Sequence, residues 1–132
     1  MTTINNITET EAKAIIDIRV NAYADKLADA IISYADENLI RCDYNHDEIV
    51  DEIKEIVDSG EWESAREVSA MTHEDESEEK VAEAENFDLI QAIVDGKLPV
   101  FGDGISYATK EDPIHHPIMV CLETAISDVV FG

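Results

Sequence analysis

The sequence predicts a mainly α protein with a small β component (α+β), a compact bundle of four to five helices carrying one short β-hairpin. Three observations predict it. Apolar residues recur near helical spacing over most of the chain, capping residues stand ahead of several of these stretches, and one glycine-marked segment breaks the helical texture.

The first helix is the best marked. Thr8 followed three residues later by Glu11 reads as a capping box, in which a hydroxyl and a carboxylate satisfy the orphan amides of a helix start. Beyond it Ala12, Ile16, Tyr23, Leu27, Ile31 and Tyr34 give an apolar stripe, so a helix is expected over about 9–36. Asn45 with Glu48 repeats the cap signature, and Ile49, Ile53, Ile56 and Val57 form the buried face of a second helix that Gly60 closes. Ser59 is placed to cap a third, carrying Trp62, Ala65, Val68 and Met71.

Glu74, Asp75, Glu76, Ser77, Glu78 and Glu79 then form a like-charged block, expected as a loop or a frayed helix start. A fourth helical stretch follows over about 77–95, with Val81, Phe87, Leu89, Ile90, Ile93 and Val94 apolar, Gly96 past its end and Asn86 a possible break. From Leu98 to Thr109 the pattern becomes two short apolar runs around Gly102-Asp103-Gly104, which suits a hairpin with an Asp-Gly turn lying on the helices. The segment Pro117 to Phe131 has only Glu123 and Asp128 charged, so its helix belongs at the centre of the core or in a homodimer interface.

The 132 residues fit one acidic helical domain, 1–132, with no repeat of fixed period and no Pro/Ser-rich linker dividing it. With 45% hydrophobic residues the composition is too apolar for a disordered acidic tail. Against 31 Asp and Glu stand 9 Lys and Arg, a formal charge of −22. Most carboxylates therefore face water, an ion or another molecule. Direct nucleic-acid binding is excluded by the lack of a basic footprint, and an anionic membrane surface would repel the chain. The longest wholly apolar run, Ile118 to Leu122, is far too short to span a bilayer. Residues 1–6 carry neither a basic nor an apolar segment of the secretory kind, so Cys42 and Cys121 are expected as free thiols in a reducing cytoplasm.

The surplus is uneven. Residues 43–88 hold 18 of the 31 acids but only Lys54, Arg66 and Lys80 as bases. In the second helix Asp47, Asp51 and Glu55 fall on one i, i+4 row and Glu48 and Glu52 on the next. Like charges at that spacing cost a few tenths of a kcal/mol per pair, so stability alone does not select them. Asp47, Glu48, Asp51, Glu52, Glu55 and Asp58 are thus the leading partner-binding candidates, followed by Glu74, Asp75, Glu76, Glu78 and Glu79. The arithmetic permits a nucleic-acid decoy: 22 charges match about 37 Å, or about 11 base pairs, of duplex.

The composition resembles that of the small acidic DNA-mimic proteins by which phages block restriction and CRISPR systems. The likeness is one of charge and carries no site residue over. It implies an inhibitor that fills the basic nucleic-acid site of a host enzyme or regulator. The alternative is an acidic adaptor or antitoxin-like subunit whose affinity comes from an apolar patch, with charge only guiding approach. Acidity of the kind found in halophiles gives similar totals, although the abundance of Ile weighs against it.

Catalytic and metal motifs fail on inspection. Asp43, Asn45 and Asp47 open like an EF-hand loop, but Glu48 occupies the place of the turn glycine and Lys54 that of the bidentate Glu. His46, His73, His115 and His116 lack zinc-ligand spacing, and Pro113 and Pro117 around the last pair suggest a turn. Tyr107 stands where a dinucleotide-binding loop needs its third Gly, and no phosphate loop or nucleophile elbow occurs. The cysteines sit among acidic or apolar residues, which quench a thiol. The expectation is a non-enzyme without cofactor or metal, acting on a basic, nucleic-acid-binding protein.

Overall fold

The structure, a computed structural model, describes residues 8–132; the N-terminal residues considered for a targeting signal lie outside them. Six α-helices follow one another: α1 (Glu9–Glu37), α2 (His46–Ser59), α3 (Glu63–Thr72), α4 (Glu78–Glu85), α5 (Leu89–Val94) and α6 (His115–Phe131). A 3-10 helix, Asp103–Tyr107, lies before α6.

Helix boundaries follow the capping chemistry. Thr8 Oγ1 accepts from the Glu11 amide at 3.1 Å, and Asn45 Oδ1 accepts from the Glu48 amide at 2.9 Å while its Nδ2 donates to Glu48 Oε1. Ser77 and Asp88 cap α4 and α5 in the same way. Gly60 and Gly96 end their helices with φ of +82° and +69°, the left-handed conformation that glycine adopts without steric cost. At the end of α1 the same conformation falls to Leu39, with φ +56°, while the Ile40 amide reaches back to the Ala35 carbonyl at 2.8 Å.

The expected hairpin is absent, and no strand occurs among the described residues. Its two glycines serve a different purpose. A two-residue Asp-Gly turn needs positive φ, which neither Gly102 nor Gly104 has. A Cβ on Gly102 would stand 2.1 Å from the Ala30 carbonyl oxygen of α1; one on Gly104 would stand 2.1 Å from the Pro117 carbonyl oxygen and 2.6 Å from Cys121 Sγ of α6. The glycines let the 3-10 turn press against both helices. The fold is therefore all-helical among the described residues, with six helices in place of four to five, because Asn86 ends α4 by donating to the Ala82 carbonyl and Asp88 begins α5. Ser59 is the last residue of α2 and does not cap α3, which starts behind Trp62 without a side-chain cap. His115 and His116 open α6, and Pro117 fits there because first-turn amides have no intrahelical acceptor.

The buried apolar side chains form one cluster. Leu27 and Ile31 of α1, Ile49, Ile53 and Ile56 of α2, Leu89 of α5, Ile105 of the 3-10 turn, and Ile118, Leu122 and Ile126 of α6 are fully buried. Helix α2 packs on α1; α3 packs on α6 and α4; α5 packs on α1; the 3-10 turn bridges α1 and α6. Helix α6 is central to the core, as the near absence of charge in it predicts. Full burial in α1 begins only at Val20; before it Ile16 packs half-buried against the core, while Ile15 and Ile18 are exposed. Between α3 and α6 the buried Ser69 is satisfied by Ser127 at 2.7 Å. No helix among the described residues is long and apolar enough to cross a membrane.

Candidate acidic interface

The placement of Ile49, Ile53, Ile56 and Val57 against α1 decides where the carboxylates of α2 go. At 100° per residue Asp47, Glu48, Asp51, Glu52, Glu55 and Asp58 fall within an arc of about 140°, opposite the buried face. All are exposed except Glu52, which is half-buried. From Asp47 to Asp58 the axis rises about 16 Å, so the six charges stand about one per 3 Å, near the 3.4 Å per charge of a single DNA strand.

Each end of this row holds a histidine among carboxylates. His46 Nε2 lies 3.0 Å from Asp25 Oδ1 and 3.2 Å from Asp29 Oδ1, both on α1, and its Nδ1 lies 3.4 Å from Asp47 Oδ1. Partial desolvation favours the neutral ring, but the hydrogen bonds and charges of Asp47, Asp25 and Asp29 outweigh it and hold His46 above its ordinary pKa. The ligand atoms of Asp25, Asp29 and His46 lie within 4.8 Å of one another, so the same three groups that clasp a proton could clasp a cation. At the other end His115 Nε2 is 2.6 Å from Glu61 Oε2, and its Nδ1 is 3.8 Å from Asp112 Oδ2. Glu52 faces this second knot. Its carboxyl is held above the usual range, chiefly by desolvation and then by Glu55, with Glu61 and Asp112 adding to the effect and His115 opposing it.

Glu74, Asp75 and Glu76 occupy the turn between α3 and α4, and Glu78 and Glu79 the first turn of α4; all five are exposed. They ride on a different support from the α2 row, since α4 packs on α3 and α6 while α2 packs on α1. Glu78 and Glu79 also complement the positive end of the α4 dipole, a structural reason for two of the five.

Sequence reasoning missed the parts of this surface assembled between elements. Asp25 and Asp29 were legible as an i, i+4 pair, but nothing in the periodicity tells that residues 38–45 return the chain so that His46 lands between them. Glu61 and Asp112, 51 residues apart in the numbering, meet only through His115. The thiol of Cys121 is buried against the 3-10 turn, and burial pushes its pKa up to about 12, the quenching its apolar neighbours predicted. No family model, curated protein or solved structure matches the chain.

Proposed function

We propose that the protein is an acidic decoy that occupies the basic, nucleic-acid-binding surface of another protein and excludes the nucleic acid from it. The observation that carries the reading is the α2 row: six carboxylates on one arc, at the linear charge density of one DNA strand, on a helix pinned by an Ile-rich face. A rigid support matters, because a disordered acidic tail loses binding energy when it becomes ordered. The two histidine knots extend the row onto α1, the α2–α3 turn and the segment before α6, so the negative surface is wider than one helix.

Such a decoy associates by electrostatic steering, fast at low salt and steeply weakened as salt rises. The test uses the immobilised chain and a panel of purified basic proteins that bind nucleic acid, with duplex DNA as competitor. DNA should displace whatever binds, and the combined reversal Asp47→Lys, Asp51→Lys and Glu55→Lys should abolish binding. Binding that DNA leaves untouched, or that survives the triple reversal, would refute the decoy.

A further inference from the structure

A groove of about 390 Å³ runs between α3 and α4, with Ala70, Met71 and Val81 forming an apolar floor and Glu67, Glu74 and Glu85 standing around it. Met71 is 65% exposed and Val81 half-buried, so the groove is open and part of its apolar surface is wet. Among the described residues the three carboxylates have no cationic neighbour within salt-bridge distance. Both bases carried by these helices are committed elsewhere. Arg66 donates to the Phe87 carbonyl at 3.0 Å and lies over the Trp62 ring, and Lys80 donates to the Val130 carbonyl at 3.1 Å, at the end of α6.

An apolar slot between uncompensated negative charges is complementary to one kind of occupant. From this we infer that the α3–α4 groove receives a single bulky apolar side chain of a basic protein segment, framed on both sides by Lys or Arg that pair with Glu67, Glu74 and Glu85. Nucleic-acid-binding proteins that wedge an apolar side chain between base steps present this chemistry, with flanking cations for the phosphates on either side. The groove would imitate an opened base step, its floor replacing the base faces and its rim the phosphates. Methionine suits such a floor, because its unbranched, polarizable side chain adapts to the shape of what it meets. The inference deepens the decoy reading and rests on it: the α2 row supplies phosphate-like charge, and this groove supplies the stack.

The test compares two short fluorescein-labelled Lys/Arg peptides, identical except for one central Leu or Ala, in anisotropy titrations at low salt. Wild-type protein should bind the Leu peptide about 10-fold more tightly, the effect of burying part of a Leu side chain. Met71→Glu fills the floor and adds charge; it should erase the difference while leaving the Ala peptide bound at least as tightly. Because Met71 is mostly exposed the variant should fold, which circular dichroism melting checks, and the paired change Glu67→Gln with Glu85→Gln should weaken both peptides alike. Equal affinities for the two peptides in wild type, or a difference that persists in Met71→Glu, would overturn the groove. So would a wild-type dimer in sedimentation that Met71→Glu dissociates, since the occupant would then be a second copy. The charge reversal on α2 scores the decoy separately: loss of DNA-displaceable binding with no Leu preference leaves the decoy standing and removes the groove.

Discussion

Glu55→Gln should stabilise the protein while weakening it as a decoy. Glu55 is exposed on α2 and has Asp51 four residues before it, Glu52 three before and Asp58 three after, with no cation at any of these spacings. Like pairs at i, i+3 and i, i+4 cost about 0.2–0.5 kcal/mol each, so removing three should yield about 1 kcal/mol at low ionic strength. Glu and Gln have nearly equal helix propensity, so the change isolates charge. Glu55 also stands in the C-terminal half of α2, where negative charge opposes the helix dipole, and its loss acts in the same direction. Urea denaturation at low salt should show the gain, equivalent to about 3–5 °C in melting temperature for a domain of this size. In 1 M salt, where the screening length is about 3 Å, most of it should vanish. The carboxyl of Glu52, now raised in part by Glu55, should titrate lower in the variant by NMR. Asp17→Asn is the control: Asp17 has Lys13 four residues before it and no acidic neighbour at helical spacing, so its neutralisation should be slightly destabilising. A Glu55→Gln protein no more stable than wild type at low salt, or one whose gain persists at 1 M, would refute the claim that this row is held together against its own repulsion.

Stability should also decline as pH rises through the neutral range. His46 binds its proton more tightly folded than unfolded, so its contribution is complete below its ordinary pKa of 6.5 and is lost as pH passes the raised folded value; His46→Gln should flatten that part of the profile in denaturation curves. Glu52 and Glu123, both raised chiefly by desolvation, lose stability in the same direction starting above their ordinary 4.5. Gly104→Ala should cost about 3 kcal/mol or more, because its Cβ meets α6 backbone, whereas Gly96→Ala, with nothing within 4 Å among the described residues, should cost only about 1–2 kcal/mol for a left-handed residue; equal losses on chemical denaturation would contradict the packing of the 3-10 turn. Leu39, 94% exposed and left-handed, should be replaceable by Asn with a gain of about 0.5–1 kcal/mol in the same assay.

The parts of the fold governed by local chemistry were legible. Thr8, Asn45 and Gly60 mark helix ends because caps and left-handed stops act within three or four residues, and the Ile row of α2 declares its buried face through spacing alone. Gly102 and Gly104 misled because a sequence shows that a glycine is present and not whether it supplies a positive φ or a close approach; the neighbours that decide, Ala30 on α1 and Pro117 on α6, belong to other elements. The candidate surface divides in the same way. The α2 row follows from periodicity, whereas the knots around His46 and His115 depend on how separate elements meet, and no local pattern encodes that.

The tethering of half-buried Arg66 and exposed Lys80 has a consequence for the protein in concentrated solution. The ammonium and guanidinium groups are both anchored on main-chain carbonyls, Val130 for Lys80 and Phe87 for Arg66. With 31 acidic residues against 9 basic ones, neighbouring copies meet with a large surplus of like charge, and their mutual repulsion keeps them dispersed. Light scattering should record a positive second virial coefficient at low ionic strength that shrinks as salt is added.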